Sequence, residues 1–269
     1  MRYSNLHNHS TFSDGKFSAE ENVLAAIEKN MLSIGFSDHS YTDFDPNTYC
    51  MKKGVLPDYI AEINRLKEKY KDQIEIYLGM ELDGYSVLED RTPFDYILGC
   101  CHYVRKDGMQ FSVDHDKNWQ IRDVAAYFDG DYIAYARMYY DGYVESVRRD
   151  KPDVLGHFDL PTKFSLVDEN DPVYRKMATE ALIACLEVTP VIEMNTGAIS
   201  RGYRKTPYPA EYLFDEIKKH HGQITLGADS HHIDNLIYYF DESVELLRAN
   251  GFQNIVQLTH GRFEEFGIV

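Results

Sequence analysis

"SNLHNHSTFSDG", residues 4–15, joins a short strand-forming segment to a cluster of possible metal ligands. A strand is predicted over residues 4–7, and His9 follows its end by two positions. Because side chains alternate along an extended chain, His7 and His9 point to the same side and can bind one ion. Asp14 precedes Gly15, a pair typical of turns. The stretch therefore predicts a strand with ligand-type side chains at its carboxyl end.

Six later segments repeat this arrangement, because each is apolar and ends in or beside a polar residue of ligand type. The predicted strands cover residues 34–38, 74–81, 96–102, 154–157, 191–195 and 224–229. The polar residues at their ends are His39, Glu81, His102, His157, Asn195, Asp229 and His231. One such histidine is commonly an ordinary buried residue, but seven strand ends together indicate a functional site.

Segments of helical period separate these strands, and Ser18 with Glu21 predicts a capping box at the first helix. The alternation predicts a parallel sheet with crossover helices. Seven strands, with residues 255–258 as a candidate eighth, favour a barrel in one domain over residues 1–269; an open doubly wound sheet is the alternative. Residues 42–54 and 104–118 are predicted as long connections of functional type.

The formal net charge of −16 argues against binding to a nucleic-acid backbone. The four cysteines form neither a CxxC pair nor a disulfide framework, which fits a reducing compartment. The first ten residues lack the apolar core of a signal peptide, and no apolar run is long enough to span a membrane. We therefore expect a cytoplasmic protein without a membrane or nucleic-acid partner.

Histidine and carboxylate ligands without cysteine suit Zn, Mn or Fe. Ser10, Ser37 and Ser230 each lie near a histidine, but none lies in a GxSxG motif, and a nucleophilic triad would leave most of the histidines and acids without a role. No Gly-rich phosphate-binding motif is present. Metal-assisted hydrolysis is the reaction class that these residues favour.

Four blocks of sequence resemble the PHP (polymerase and histidinol phosphatase) superfamily, and within it the histidinol-phosphatase branch. They are "HNHSTFSDG", "GFSDHS", "GMELDG" followed by "GCCHYV", and "LGHFDL" with "GADSHH". The resemblance implies a distorted TIM-like barrel of seven βα units, a (β/α)7 fold, with a trinuclear metal site at the carboxyl-terminal face of the strands.

Carried over by position, the resemblance implies three divalent ions, Zn, Fe or Mn, with shared ligands. The first ion would bind His7, His9, Glu81 and Asp229; the second Glu81, His102 and His157; the third Asp14, His39 and His231. Every one of these positions carries a suitable side chain in this sequence.

The implied activity is hydrolysis of L-histidinol phosphate in histidine biosynthesis, by a hydroxide that bridges the Glu81-linked ions. Glu81, Asp229, His231 and Arg201 are the expected catalytic residues. The loop "EMNTGAISRGYRK" supplies Asn195, Arg201 and Arg204 for phosphate binding, with Arg201 as the preferred clamp. Asp114 is expected to bind the substrate ammonium group.

Other functions remain open from the sequence. The same site could hydrolyse another small phosphomonoester or act as a phosphodiesterase or nuclease, although the acidic charge disfavours the latter. A third interpretation is a metal-stabilised domain that binds without turnover, which the complete ligand set disfavours.

Overall fold

The computed structural model describes residues 1–46 and 48–269, and these contain eleven strands. The strands are β1 (Ser4–Asn5), β2 (Ser33–Phe36), β3 (Glu75–Asp83), β4 (Tyr96–Cys100), β5 (Tyr103–Lys106), β6 (Met109–Ser112), β7 (Val154–Leu155), β8 (Val191–Asn195), β9 (Gln223–Gly227), β10 (Asn254–Thr259) and β11 (Arg262–Gly267). The seven predicted parallel strands correspond to β1–β4 and β7–β9, each within two residues at either end.

These seven strands form one parallel sheet in the order β1-β2-β3-β4-β7-β8-β9. The order follows the chain without a reversal, so the sheet has no switch point of the doubly wound type. At the carboxyl end the two edges meet, because the His9 amide donates to the Ser230 carbonyl (2.9 Å) and the Ser230 amide donates to the His7 carbonyl (3.0 Å). The fold is therefore a nearly closed (β/α)7 barrel, as the sequence predicts.

Helices cover the outside of this barrel. In the described residues they are α1 (Ala19–Glu28), α2 (Leu56–Tyr70), α3 (Lys117–Tyr127), α4 (Tyr132–Asp150), α5 (Pro172–Leu186), α6 (Gly197–Ser200), α7 (Phe214–Lys219) and α8 (Phe240–Ala249). The capping box of Ser18 and Glu21 is present at α1. None of the helices in the described part of the chain has the length and apolar character that crossing a bilayer requires.

The prediction that residues 104–118 form a long connection without regular secondary structure is wrong. Strands β5 and β6 form an antiparallel hairpin there, followed by the first residues of α3. Asp107 and Gly108 make the turn, and both have positive φ (51° and 79°), as a two-residue hairpin turn requires. The hairpin brings Asp114, just after β6, over the carboxyl end of the barrel.

The candidate eighth strand at residues 255–258 does not join the parallel sheet. It is part of β10, which pairs antiparallel with β11 around His260 and Gly261. This hairpin lies across the amino ends of the barrel strands: the Gln257 side chain accepts from the Ser4 amide (2.6 Å), and the Leu258 carbonyl accepts from the Ser33 hydroxyl (2.7 Å). It therefore closes the end of the barrel opposite the predicted site.

Tyr96 fills the interior of the barrel. Its hydroxyl donates to the Leu6 carbonyl, and its ring lies where a Cβ at Gly79 would be, 2.2 Å from the nearest ring atom. A glycine on β3 therefore makes room for an aromatic residue of β4. Apolar side chains from the strands and from β10 surround the ring, so the interior is a packed core.

Candidate metal centre and adjoining cavity

All nine predicted metal ligands converge at the carboxyl end of the barrel. They follow or end six of its parallel strands, so six different chain segments must fold before the centre exists. Seven of the side chains are buried, and Asp14 and His231 are partly exposed at the rim. Together they form four overlapping groups of potential ligand atoms, which are His9/Asp14/His39/His231, His7/His9/Asp229, His7/Glu81/His157 and His39/Glu81/His102.

Glu81 lies at the centre of these groups, and its two oxygens face different histidines. Oε1 is 3.0 Å from His157 Nε2 and 3.1 Å from His102 Nε2. Oε2 is 3.2 Å from His7 Nε2 and 3.4 Å from His9 Nε2. A carboxylate in this position can link two ions, which is the arrangement that the resemblance implies.

His39 lies between two of the groups. Its Nδ1 is 2.9 Å from Glu81 Oε2, and its Nε2 is 3.7 Å from Asp14 Oδ1. Asp14 in turn lies 3.1 Å from His231 Nε2. Asp14, His39 and His231 are therefore together, as predicted, and His39 also approaches the central carboxylate.

Several buried polar atoms of this cluster have no hydrogen-bond partner among the described residues. They are His7 Nε2, both ring nitrogens of His9, and Glu81 Oε2. Buried polar atoms are normally hydrogen bonded, so these atoms need a partner of another kind. Nitrogen and carboxylate oxygen are ligands for Zn, Fe and Mn, and the residues present therefore fit divalent metal ions.

The ionisation of the cluster is mixed. Burial acts to lower the pKa values of His7, His39 and His102, but neighbouring carboxylates outweigh it and raise all three, so ion binding would displace protons from these rings. Burial, followed by the neighbouring His231 and His39, lowers the pKa of His9 to about 3. Burial works to raise the pKa of Glu81, but His39, His7 and His102 outweigh it and hold the pKa well below its ordinary value. Neutral imidazole and ionised carboxylate are the forms that bind metals.

Carboxylates that the sequence prediction missed orient the histidines. Glu193 Oε1 lies 2.7 Å from His7 Nδ1, and Asp83 Oδ2 lies 3.1 Å from His102 Nδ1. Asp38 binds the hydroxyls of Ser10 and Ser13, in the loop between His9 and Asp14. Contacts of this kind fix the ring orientation and raise ligand basicity.

Asn195 was predicted to contact substrate, and the structure corrects this. It is 1 % exposed, its amide donates to Glu193 Oε2 (2.9 Å), and its side-chain oxygen accepts from the Gly197 amide (2.9 Å). Asn195 therefore holds Glu193 in place beneath the centre.

A cavity of about 420 Å³ opens beside the cluster. Asp14, His39, His102, Asp229 and His231 line one side of it. The remaining described lining residues are Lys16, Thr48, Tyr49, Asp114, His115, Lys163 and Arg201. The cavity thus combines the metal-ligand cluster with three cationic side chains and one additional carboxylate.

Arg201 lies beside Asp229, at the edge of the ligand cluster. Its guanidinium donates to Asp229 Oδ2 (2.7 Å) and to the Asp229 carbonyl (3.0 Å), and it lines the cavity. Burial alone lowers the pKa of Arg201, but Asp229 outweighs it, so that the pKa lies above its ordinary value and the charge is permanent.

Arg204, three residues later, does not line the cavity. It donates to Glu169 and to the Thr162 hydroxyl, and its side chain is 5 % exposed. The prediction that Arg204 binds substrate is thereby corrected, because its guanidinium is engaged in a separate ion pair.

Asp114 lines the cavity and pairs with Lys163, which the sequence prediction missed. Lys163 Nζ donates to Asp114 Oδ2 (3.1 Å) and to the Asp114 carbonyl (2.8 Å). Burial acts to raise the pKa of Asp114, but Lys163 and the nearby histidines lower it to about 2. Its Oδ1 is buried and has no hydrogen-bond partner in the described residues.

Comparison with known proteins identifies what this arrangement resembles. The family model of the PHP domain matches residues 5–197. The histidinol-phosphatase of Lactococcus lactis is 27% identical over 275 residues, covering 95% of this chain and 94% of that protein. The histidinol-phosphatase of Bacillus subtilis is 26% identical over 240 residues, covering 82% and 89%.

Among solved structures, the chain is similar to histidinol phosphate phosphatase from Lactococcus lactis complexed with zinc, L-histidinol and phosphate. The TM-score is 0.72 at 22% identity, and the match covers 98% of this chain and 99% of that one. This likeness extends the barrel architecture over nearly the whole chain, including the part beyond residue 197.

Proposed function

Because the chain belongs to the PHP domain family, we propose that it is a metal-dependent phosphomonoesterase of histidine biosynthesis that hydrolyses L-histidinol phosphate to L-histidinol and phosphate. The observation that carries this proposal is the convergence of nine possible nitrogen and oxygen ligands, five of which line a cavity that also presents Arg201 and Asp114. The relatives named histidinol-phosphatase, at 26–27% identity over most of the chain, support the choice of substrate.

The proposed centre holds three divalent ions, Zn, Fe or Mn. Glu81 would link two of them through its separate oxygens, and Asp14, His39 and His231 would hold the third. When bound, such ions supply positive charge that neutralises the phosphoryl group, and a water of lowered pKa for in-line attack. Glu81, Asp229 and His231 are proposed as catalytic residues because each would bind an ion directly.

Arg201 is proposed to bind a phosphoryl oxygen. Its contacts with Asp229 use only part of a guanidinium that has five N–H donors. The same contacts hold the planar group still, so a further contact with a phosphoryl oxygen would cost little side-chain entropy. Arg201 would thereby select a dianionic group beside the ligand cluster.

Asp114 is proposed to bind the ammonium group of the substrate. Lys163 keeps Asp114 ionised and fixes its position by two hydrogen bonds, and Oδ1 has no hydrogen-bond partner among the described residues. A carboxylate with one free oxygen suits a cationic donor and disfavours a phosphate group. The cavity therefore offers separate places for the two charged groups of an amino-alkyl phosphate.

Phosphate release tests this proposal. The protein, loaded in turn with Zn, Fe or Mn, is incubated with L-histidinol phosphate, a panel of other phosphomonoesters, and single-stranded DNA. We expect histidinol phosphate to give the highest kcat/KM, and Glu81→Gln to abolish release. Glu264→Gln, at a surface position remote from the cavity, is the matched control and should retain activity.

The other outcomes identify the alternatives. Preference for a different phosphomonoester would support the proposed metal centre but would mean that histidinol phosphate is not the substrate. Cleavage of DNA would indicate a phosphodiesterase or nuclease. A fully loaded protein that hydrolyses no phosphoester would overturn the enzyme proposal in favour of a binding domain.

We also propose that residues 1–269 act as one catalytic domain, since ligands from the first strand and from the last parallel strand complete the same centre.

A further inference from the structure

An aromatic pair stands at the mouth of the cavity and has no role so far. It consists of His115, which lines the cavity, and Trp119, whose ring centroid lies 4.6 Å from that of His115 with the ring planes 36° apart. His115 is exposed, and Trp119 is 46 % exposed. Large aromatic side chains are mostly buried in folded proteins, so an exposed pair beside a cavity indicates contact with a ligand.

The backbone on both sides of this pair is fixed by hydrogen bonds. Asp116 caps helix α3, and its carboxylate accepts from two amides of the first turn, including that of Trp119 (3.1 Å). The His115 amide donates to the Ser112 hydroxyl at the end of β6 (3.2 Å). The rings are therefore presented by an ordered segment, and a ligand that stacks on them would cost little additional ordering of the chain.

The order of the strands places the pair across the cavity from the Arg201 guanidinium. The hairpin that leads to His115 follows β4 and is joined to its end, because the Val113 amide donates to the His102 carbonyl (2.8 Å). Arg201 is bound to Asp229, which follows β9 (2.7 Å). In the ring of seven strands, β4 and β9 are separated by β7 and β8 in one direction and by β1, β2 and β3 in the other. A substrate whose phosphoryl group is bound by Arg201 would thus extend its other end toward His115.

We infer that the ring of His115, supported by Trp119, stacks on the imidazole of the substrate and thereby selects phosphomonoesters that carry a planar ring. The inference rests on the proposed function. Offset-stacked rings attract each other beyond the effect of the apolar area that they bury. The contact uses the face of the ring, so another planar side chain at position 115 could replace histidine, which distinguishes stacking from a hydrogen bond or a charge.

Kinetics of two substitutions at position 115 test the inference. We expect His115→Ala to raise KM for L-histidinol phosphate about 3- to 10-fold. kcat should not change, because stacking is equal in the bound substrate and the transition state. His115→Phe retains a planar ring and should keep KM within about twofold of wild type. The Ki of 2-aminoethyl phosphate, which retains the ammonium and phosphate groups but lacks the imidazolylmethyl group, should not change in either variant.

Fluorescence gives a second readout that is independent of turnover. Trp119 is the only tryptophan of the chain, so excitation at wavelengths where tyrosine does not absorb reports on this pair alone. Titration with L-histidinol should change the emission saturably, and His115→Ala should weaken the Kd by the same factor as KM. Ethanolamine, which lacks the ring, and inorganic phosphate should leave the emission unchanged.

His220→Ala, at the end of α7 and away from the cavity lining, is the matched control and should behave as wild type. Metal content and Tm are measured for each variant, so that a change in the centre or in the fold is recognised.

Several outcomes would overturn the inference. A loss in His115→Phe as large as that in His115→Ala would replace stacking by a hydrogen bond or a charge. Weaker inhibition by inorganic phosphate in His115→Ala would place the residue at the phosphoryl group. An unchanged KM, or an equal change in the Ki of 2-aminoethyl phosphate, would remove the ring of His115 from substrate selection.

Wild-type turnover of histidinol phosphate is measured first, because its absence refutes the proposed function. The fluorescence titration then still decides whether the pair binds a planar ring. Wild-type turnover with no effect of His115→Ala refutes only this inference.

Discussion

Glu81 shows how one residue organises the centre. Its carboxylate is 1 % exposed and contacts histidines through both oxygens, and burial of such a charge without compensation would cost several kcal/mol. The neighbouring histidines, and ions bound among them, would supply that compensation. The burial of Glu81 and its function in metal binding therefore depend on each other.

Arg201 and Arg204 can be compared directly at the residue scale, because both were predicted to bind phosphate and only Arg201 lines the cavity. We expect Arg201→Ala to lower kcat/KM for the phosphomonoester by about 10- to 100-fold, because it removes a charge-assisted contact worth about 1.5–3 kcal/mol. Arg204→Ala should retain kcat/KM but lose about 1–3 kcal/mol of stability, because it leaves Glu169 and Thr162 without their partner.

Steady-state kinetics and urea unfolding of the two variants check this prediction. If Arg204→Ala lost activity while Arg201→Ala did not, the placement of the phosphate clamp would be reversed.

Asp159 predicts a pH dependence of stability. Burial raises the pKa of its carboxyl from 3.8 to about 6, although Arg204 acts in the opposite direction. Between these two values the folded chain binds more protons than the unfolded chain, so this group makes the free energy of unfolding fall as pH rises. Asp159→Asn removes the effect, and its stability relative to wild type should rise by up to about 3 kcal/mol from pH 4 to pH 7.

Urea unfolding at a series of pH values measures that difference, and the titration of the metal ligands largely cancels because both proteins contain them. Asp234→Asn, at an exposed position, is the control. A constant difference between wild type and Asp159→Asn over this range would contradict the prediction.

The nine proposed ligands could be predicted from sequence because they end or follow apolar strands, where acids and histidines are unusual, and because the blocks that contain them resemble the PHP family. Asp83 was missed although it lies on β3 with Glu81, and Glu193 was missed on β8, since a residue that supports a ligand has no spacing rule of its own. Lys163 and Tyr49 lie in connections without periodicity. Their place in the cavity depends on the path of the loop, which only tertiary packing determines.

At the scale of the elements, β8 and β9 pack closely because Gly227 of β9 has no side chain where Glu193 of β8 lies. A Cβ at Gly227 would lie 1.7 Å from Glu193 Oε1, the atom that contacts His7. Gly227→Ala should therefore displace Glu193 and reduce metal affinity about 10- to 100-fold, the usual effect of losing such a support. Chelator competition measures the affinity.

Gly267→Ala is the control for that substitution, because the nearest atom to its Cβ would be 3.8 Å away. Full metal affinity in Gly227→Ala would show that Glu193 does not need its observed position to support His7.

Both hairpins were missed or misassigned for a common reason. Their strands have four to six residues and little apolar alternation, and the signal lies in the turns Asp107–Gly108 and His260–Gly261. Positive φ at both turn residues identifies a two-residue hairpin only once the chain is known to reverse there. Sequence periodicity was sufficient for the barrel but not for the elements that close its ends.

At the scale of the molecule, the two ends of the barrel are held by different means. The β10–β11 hairpin binds the amino ends of β1, β2 and β3 through ordinary hydrogen bonds: Gln257 and Leu258 accept from Ser4 and Ser33, and Thr259 donates to Glu75. At the carboxyl end, six strands converge on a cluster of acids and histidines. Bound ions would cross-link that end, whereas the hairpin end needs no metal.

Removal of metal should therefore loosen only one end. A ligand present at 100 times its Kd contributes about 2.7 kcal/mol, so loss of two or three ions should lower Tm by at least about 5 °C. In hydrogen exchange, the amides of His9 and Ser230, which join the two edges of the sheet (the seam), should lose protection on chelation. The amides of β10 should keep theirs. Restoring the metal should reverse both changes.

Uniform loss of protection at the two ends would show instead that the ions support the whole barrel. Unchanged protection at the seam after complete removal of the ions would show that the carboxyl end is stable without them.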